Sequence, residues 1–233
     1  MKKLFLITAI LLGVMSLNAQ SLEEIVKKYT VANQLDKLSG LKTIKLTATM
    51  SMSGMDIPIV IWMKNPDKIK TITDFNGQQM IQSFDGVKGY VISPFTGSTD
   101  PVELPDETAK GMLRNSIFQN YIAEFLKNGQ LTLDGEEAVN GSAAYKIKVT
   151  AADGSGSNIY IDKASSLLVK TTGTMENQGQ TITVESYPSD YKEINGVFLP
   201  GKTMSMMSGM EMIITFTNVE IDVPIEDSAF TLK

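Results

Sequence analysis

The chain has 233 residues, of which 42% are hydrophobic and 20% charged, and its formal net charge is −5. This is the composition of a globular protein, and its acidic balance excludes nucleic acid as an expected partner, because phosphate backbones are bound by basic surfaces. The chain contains neither Cys nor His, which excludes disulfides, thiolate zinc sites, thiol nucleophiles and His-dependent catalytic triads.

The N-terminus has the layout of a cleaved secretory signal. Two lysines are followed by an apolar segment at residues 4–14 and by Ala19, a small residue at the expected cleavage site. The apolar run is too short for a typical membrane-spanning helix. We therefore expect a signal peptide at 1–19, a periplasmic location, and a single domain at 20–233. The alternative is an uncleaved N-terminal anchor.

Ser21 begins a predicted amphipathic helix. Ser21 and Glu24 have the spacing of a capping box, in which each side chain accepts a hydrogen bond from the other residue's backbone N–H. Gly40 is suited to ending the helix. The apolar residues at helical spacing, which need to be covered by the rest of the protein, are Leu22, Ile25, Val26, Tyr29, Ala32, Leu35 and Leu38.

From residue 42 the hydrophobic pattern alternates with a period of two, which is typical of half-buried β-strands. Tight-turn sequences such as Asn76-Gly77 and Asn195-Gly196 separate the strands, so neighbouring strands must be antiparallel. The same signal predicts turns at Asp134-Gly135 and Gln178-Gly179. The pattern alone fits a barrel or a sandwich. The predicted strands span residues 44–52, 57–63, 69–75, 78–84, 87–92, 130–134, 143–150, 157–162, 166–172, 180–187, 189–194, 198–207 and 210–221.

A helical segment interrupts the strands. Asp106 is expected to cap a short helix, and Asn115 a longer one that ends at Gly129. The longer helix carries one apolar stripe. The stripe consists of Ile117, Phe118, Tyr121, Ile122, Phe125 and Leu126.

The polar residues do not form a pattern that indicates catalysis. Acidic residues are scattered over predicted turns and strand ends, which indicates a solvated surface rather than a catalytic carboxylate pair. No glycine-rich phosphate loop follows a strand and opens a helix. We therefore expect no enzymatic activity, no catalytic residues, no cofactor and no metal ligands.

Methionines are concentrated in two segments, residues 50–55 and 204–212, each at a predicted hairpin tip. Methionine is unbranched and polarizable, so such a surface can adapt to apolar ligands of varied shape. Thioethers also bind Cu(I), although no His or Cys is present to complete such a site. Plain core packing is the third interpretation.

Several local sequences, taken in order, resemble those of the outer-membrane lipoprotein-sorting (LolA/LolB-like) superfamily. The dedicated lipoprotein carrier of that superfamily has an arginine in the stretch where this chain offers Lys68 and Lys70, which favours lipid binding in general over the carrier's transfer mechanism. The segments that carry the resemblance are residues 65–70, 83–94, 139–147, 159–162 and 191–200.

The resemblance implies a mainly β (α+β) fold, a curved and unclosed antiparallel half-barrel whose concave face is covered by the N-terminal helix and a helical lid. The implied ligand is the acyl chain of a lipid or lipoprotein, held between sheet and lid, with an envelope membrane protein as a further partner and a monomeric state. Trp62 is placed at the cavity mouth. The expected lining residues are Leu46, Met50, Met52, Ile59, Ile61, Phe75, Phe84, Met204, Met206, Met212, Ile214 and Phe216, with Ile117, Phe118, Tyr121 and Phe125 as the lid face.

For each of these residues, packing in a filled core is the competing interpretation. A filled interior predicts a different function, an envelope protein-interaction or stress-sensing module that uses its surface. A copper-binding protein requires at least three thioether sulfurs that converge on one point.

Overall fold

The computed structural model describes residues 20–96, 99–118, 120–151, 154, 156–177 and 180–232. Its strands are β1 (Thr43–Met52), β2 (Met55–Lys64), β3 (Lys68–Phe75), β4 (Gln78–Phe84), β5 (Gly89–Ile92), β6 (Val102–Glu103), β7 (Leu131–Val139), β8 (Ser142–Thr150), β9 (Gly156–Asp162), β10 (Leu168–Asn177), β11 (Gln180–Ile194), β12 (Val197–Met207) and β13 (Met210–Ile221). Its helices are α1 (Leu22–Ala32), α2 (Leu35–Leu38), α3 (Asp106–Gly111) and α4 (Tyr121–Lys127). Short 3₁₀ helices span Pro94–Thr96, Met112–Asn115 and Asp227–Phe230.

All thirteen strands form one antiparallel sheet in the order β6-β5-β4-β3-β2-β1-β13-β12-β11-β10-β9-β8-β7. The first and last strands of the chain pair in its middle, from Ile44 opposite Ile221 to Met52 opposite Met212. The end strands β6 and β7 do not pair, so the sheet stays open. The predicted unclosed half-barrel is confirmed, whereas the closed barrel and the sandwich are not.

Among the described residues, two-residue turns connect β1–β2, β3–β4, β7–β8, β11–β12 and β12–β13, as the sequence predicts. Asn76 and Gly77 have φ values of 55° and 90°, and Asn195 and Gly196 have 49° and 86°. Two consecutive residues with positive φ define the turn whose twist matches that of the flanking strands. Asparagine and glycine tolerate this conformation best, which is why these pairs locate the hairpins.

The strand prediction misses β6, and it is wrong at two further places. Gly135 has a φ of 100° but lies inside β7, where the register with β8 shifts, so this residue forms a bulge rather than a turn. The strands predicted at 180–187 and 189–194 are one strand, β11. Pro188 does not interrupt β11. The pairing of β11 with β10 ends at Ser186, so on the β10 side Pro188 has no ladder hydrogen bond to donate. The turn predicted at 178–179 lies outside the described residues.

The capping box at the start of α1 is confirmed. The Glu24 backbone N–H donates to Ser21 Oγ at 3.3 Å, and the Ser21 N–H donates to Glu24 Oε2 at 3.4 Å. The helix is shorter than predicted, because Gln34 adopts a left-handed conformation (φ 53°) that separates α1 from α2. No helix within the described residues has the length and apolar character needed to cross a membrane.

The later helices begin elsewhere than predicted. Asp106 is the first residue of α3 rather than its cap, which is Pro105. Asn115 ends a 3₁₀ helix, and the cap of α4 is Asn120, whose Oδ1 accepts the Ala123 N–H at 3.1 Å. The Asn120 amide also donates to Thr30 Oγ1 of α1 at 2.7 Å. Contact with α1 therefore coincides with the position at which α4 starts.

The two faces of the sheet are covered by different parts of the chain. Directly opposite residues of paired strands share a face, so Ile44, Leu46, Met63 and Phe84 lie on one face, where they pack with residues of the helical segments. We call this the helix face. Trp62, Lys70 and Ser83 are opposite one another on the other face, which we call the tail face.

Residues 222–232, the tail, cross the tail face and are held by side chains of β2, β3 and β4. Lys64 Nζ donates to the Ile225 carbonyl at 2.8 Å, and Lys70 Nζ donates to the Ala229 carbonyl at 2.9 Å. The buried Ser83 hydroxyl donates to the Phe230 carbonyl at 2.6 Å. Phe230 is fully buried. The sequence interpretation did not identify this element.

Candidate functional site

The helix face contains three apolar clusters, of which the first, the central core, is closely packed. Its fully buried members include Ile44 on β1, Val197 on β12 and Val219 on β13. Residues from α2, α3 and the segment before α4 complete it. The central core consists of Leu38, Ile44, Leu46, Met63, Ile69, Phe84, Ala109, Phe118, Val197, Leu199 and Val219.

The second cluster, the helix-covered core, lies at the β7 end of the sheet. It joins α1 and α4 to strands β7, β8 and β9. Leu22, Tyr29, Phe125 and Leu126 pack against it, half-buried. The buried members are Ile25, Val26, Ile122, Leu131, Ile147, Val149, Ile159 and Ile161.

The third cluster, which we call the tip cluster, continues from the central core towards the turns of the β1–β2 and β12–β13 hairpins. Ile61 and Phe216 contact both clusters, so the apolar surface is continuous. In the described chain the tip cluster includes no residue of α1–α4, and Phe95 of the 3₁₀ helix at Pro94–Thr96 meets Phe75 edge-on at 5.2 Å. Its buried members are Ala48, Met50, Ile57 and Ile59, and its half-buried members are Met52, Ile61, Phe75, Met212, Ile214 and Phe216.

The sheet around the tip cluster carries no charge on the helix face. The positions that the register places there on β13, β1, β2, β3 and β4 are Ala, Val, Ile, Leu, Met, Phe, Thr and Gln. Charged residues of the same strands, such as Lys45, Asp56 and Glu211, lie on the tail face. The helix face therefore offers an uncharged, apolar strip that leads from the packed core to the hairpin turns.

Most of the predicted ligand residues lie on this strip. Met50, Met52, Ile59, Phe75, Met212 and Ile214 belong to the tip cluster. Leu46, Phe84 and Phe118 are buried in the central core, and Ile117 packs against it. Ile61 and Phe216 connect the two.

The remaining predicted residues lie elsewhere. Met204 and Met206 are opposite Ile213 and Glu211, which places them on the tail face, away from Met212. Phe125 packs in the helix-covered core, and the Tyr121 hydroxyl donates to the Leu113 carbonyl. The predicted lid stripe is thus divided between two cores and does not cover the tip cluster.

Trp62 is not at a cavity mouth on the helix face. It lies on the tail face, where Lys70 Nζ is 5.5 Å from the centroid of its ring.

Three methionines at the hairpin tips were not among the predicted ligand residues. Met55, Met207 and Met210 are exposed by 50%, 37% and 49%, and they share the helix face with Met52 and Met212. A turn motif in the sequence could have placed Met207 and Met210 on this face. A two-residue turn at Ser208-Gly209 pairs Met207 with Met210 and thereby determines the face of every residue in that hairpin.

Two surface depressions are lined by residues outside the tip cluster. One, of about 440 Å³, is lined by Met206, Thr183 and Glu185 among others. The other, of about 880 Å³, runs along α1 and is lined by Gln20, Ser21, Glu24, Lys27, Lys28, Val31, Ala32 and Ser166.

The site lacks groups for proton transfer or hard-metal binding. The tip cluster contains no titratable residue, and among the described residues no three His, Cys, Asp or Glu are grouped to hold a metal. The perturbed groups are elsewhere: burial raises the pKa of Tyr29 to about 12 and lowers the pKa of Lys70 on the tail face. The copper hypothesis, which concerns thioethers, stays a prediction.

No family model and no curated protein matches the sequence. Several solved structures match over nearly their whole length. A DUF1329 family protein from Desulfovibrio piger is 16% identical with a TM-score of 0.57, covering 90% of this chain and 99% of that one. A LolA superfamily protein from Nitrosomonas europaea is 14% identical with a TM-score of 0.58, covering 91% and 98%.

A putative outer membrane lipoprotein-sorting protein domain from Vibrio parahaemolyticus is 12% identical, with a TM-score of 0.55 and coverage of 90% and 97%. At these identities the likeness concerns the fold. The chain thus has the fold of LolA superfamily and outer-membrane lipoprotein-sorting proteins, as its local sequences predict.

Proposed function

We propose that the chain is a non-enzymatic periplasmic protein that binds the acyl chain of a lipid or lipoprotein on the tip cluster. The observation that supports this most is the uncharged apolar strip on the helix face, of which six tip-cluster residues are only half-buried and which no described α-helix covers. The fold shared with a lipoprotein-sorting domain adds to it.

The energetics of such a site require no specific polar contact. Each methylene group that leaves water contributes about 0.8 kcal/mol. Methionine side chains can adapt to an alkyl chain without a fixed shape. Because the half-buried residues lie in an open strip rather than under the predicted lid, the acyl chain would lie along the strands, with one side towards solvent or a partner.

A filled interior favours a second candidate, an envelope protein-interaction module. Its supporting observation is the close packing of the central core, where Ile44, Val197 and Val219 are fully buried. In that case the exposed Met55 and Met210 would contact a protein instead of an acyl chain. An envelope membrane-protein partner and a monomeric state remain predictions under both candidates.

Native mass spectrometry of the protein purified from its own envelope, followed by lipid extraction, distinguishes the two. Acyl binding predicts a co-purifying acylated species in near-stoichiometric amount. A mass without ligand, together with failure to take up fatty acid or lipopeptide, would contradict acyl binding and favour the interaction module.

A further inference from the structure

The side chain of Gln20, immediately before α1, is held on one side only. Tyr145 of β8 donates its hydroxyl proton to Gln20 Oε1 at 2.8 Å. The amide nitrogen, Nε2, is buried and has no hydrogen-bond partner among the described residues. The carbonyl half of the amide is thus fixed, whereas its nitrogen is not.

We propose that removal of residues 1–19 makes Gln20 the N-terminus and that it then closes to a pyroglutamate, with the Tyr145 hydroxyl promoting the reaction. The new α-amine attacks the side-chain carbon Cδ and forms a five-membered lactam. The Cδ–Nε2 bond breaks, and ammonia leaves with a proton from the amine. No oxidant or other co-reactant is needed.

Tyr145 is placed where this reaction needs a donor. Negative charge develops on Oε1 when the amine attacks, and a preorganised O–H donor at that oxygen stabilises it. The lactam keeps the same oxygen as a hydrogen-bond acceptor, so the contact with Tyr145 can persist in the product. Departure of Nε2 breaks no hydrogen bond within the described residues. Gln20 also lines the depression along α1, which gives the ammonia a route to solvent.

The product also suits the start of α1 better than a free amine does. The ammonium of an N-terminal Gln20 would lie one residue before the helix cap, next to the positive end of the helix dipole. Lys27 and Lys28 line the same depression and add like charge. The lactam is neutral. It also preserves the Ser21 N–H that donates to Glu24 in the capping box.

The rate of cyclisation tests the role of Tyr145. A protease that cuts directly before Gln20 exposes the amine of a tagged protein, and intact mass then follows the loss of one ammonia near pH 8, where about half of a free α-amine is neutral. We expect the folded protein to cyclise faster than the same protein in denaturant, and Tyr145→Phe to slow the folded protein by about tenfold or more.

Tyr191→Phe is the matched control, because it removes a hydroxyl that bonds elsewhere, to the Leu168 carbonyl. Its rate should equal that of the native protein. Equal cyclisation rates in the folded protein, the denatured protein and Tyr145→Phe would overturn the proposal that the folded structure promotes the reaction through Tyr145.

The N-terminal peptide of the protein isolated from its envelope tests the modification itself. We expect it to begin with cyclised Gln20, and Gln20→Asn, which cannot form the five-membered ring, to retain a free amine. A free Gln20, or a chain that starts at another residue, would overturn the proposal. Neither experiment depends on acyl binding.

Discussion

Asp227 in the tail is an exposed carboxylate that pairs with two lysines of the sheet at once. Its oxygens lie 2.7 Å from Lys64 Nζ and 2.9 Å from Lys68 Nζ. Hydrogen bonds from Lys64 and Lys68 lower the pKa of Asp227 from 3.8 to about 2. Because this pKa is depressed, the pairing stabilises the docked tail above the ordinary pKa and is lost as pH falls towards the depressed one.

The fluorescence of Trp62, the single tryptophan of the chain, can report the loss of the Asp227 ion pairs. Lys70, which lies over the Trp62 ring, also binds the tail at Ala229. We expect the emission of Trp62 to change as the pH falls from 3.8 to about 2. In Asp227→Asn the change should already be present at neutral pH. Identical emission of the two proteins over the whole range would show that Asp227 does not hold the tail.

Gly89 marks the closest approach between α3 and the sheet. A Cβ atom at Gly89 would lie 2.4 Å from the Cβ of Ala109. Gly89→Ala should therefore displace α3 and lower the free energy of unfolding by about 1–3 kcal/mol, as overpacking does. The measurement is urea denaturation.

Gly111 at the end of the same helix provides the control for Gly89. A Cβ there meets no atom within 4 Å, so Gly111→Ala should leave the free energy of unfolding unchanged or slightly increased. Similar losses in both variants would contradict close packing at Gly89.

At the scale of elements, the tail is a structural part of the sheet's second face. Phe230 is fully buried, and its backbone carbonyl is bound by Ser83. Phe230→Ala should lower the free energy of unfolding by about 3–5 kcal/mol, since a large buried ring is lost. Phe95→Ala removes the same ring from a position that is 68% exposed and should change it by about 0.5 kcal/mol or less. Denaturant unfolding of both variants checks this, and a small effect at Phe230 would contradict tail docking.

The sequence predicted the hairpins and the start of α1 well but the starts of the later helices poorly, for a physical reason. A tight turn such as Asn76-Gly77 depends on the backbone preferences of its own two residues, so the residue types alone predict it. A helix cap is chosen among several candidates by tertiary contacts. Asn115 and Asn120 are equally good caps by residue type, and α4 starts after Asn120, whose amide donates to Thr30 of α1. The tail had no local signal at all.

The candidate site was predicted in part for the same reason. Alternation identified Met50 and Met52 as one face of a strand, and the structure places them together with Ile59 of the next strand. Met204 and Met206 were assigned to the same site by composition rather than by register, and the tight turn at Ser208-Gly209 puts them on the other face. Counting the paired residues outward from that turn would have placed Met204 and Met206 on the tail face.

At the scale of the whole molecule, the open sheet places the proposed binding surface apart from its packed cores. The pairing of β1 with β13 joins the two ends of the chain in the middle of the sheet. The tail and the helices cover much of its two faces. Part of the tip cluster stays half-buried, and these apolar residues form the proposed acyl-binding surface.

Two adjacent isoleucines test this account most directly. Ile214 is a half-buried member of the tip cluster, whereas Ile213, also half-buried, lies on the tail face opposite Met204. A carboxylate at position 214 would have to be desolvated against the acyl chain, which is costly. Displacement of a fluorescent fatty acid measures the affinity, and thermal unfolding verifies that both variants fold.

We expect Ile214→Glu to weaken fatty-acid binding by about tenfold or more and Ile213→Glu to bind as the native protein does. Equal affinities in the native protein and both variants, or no binding by the native protein, would contradict acyl binding at the tip cluster.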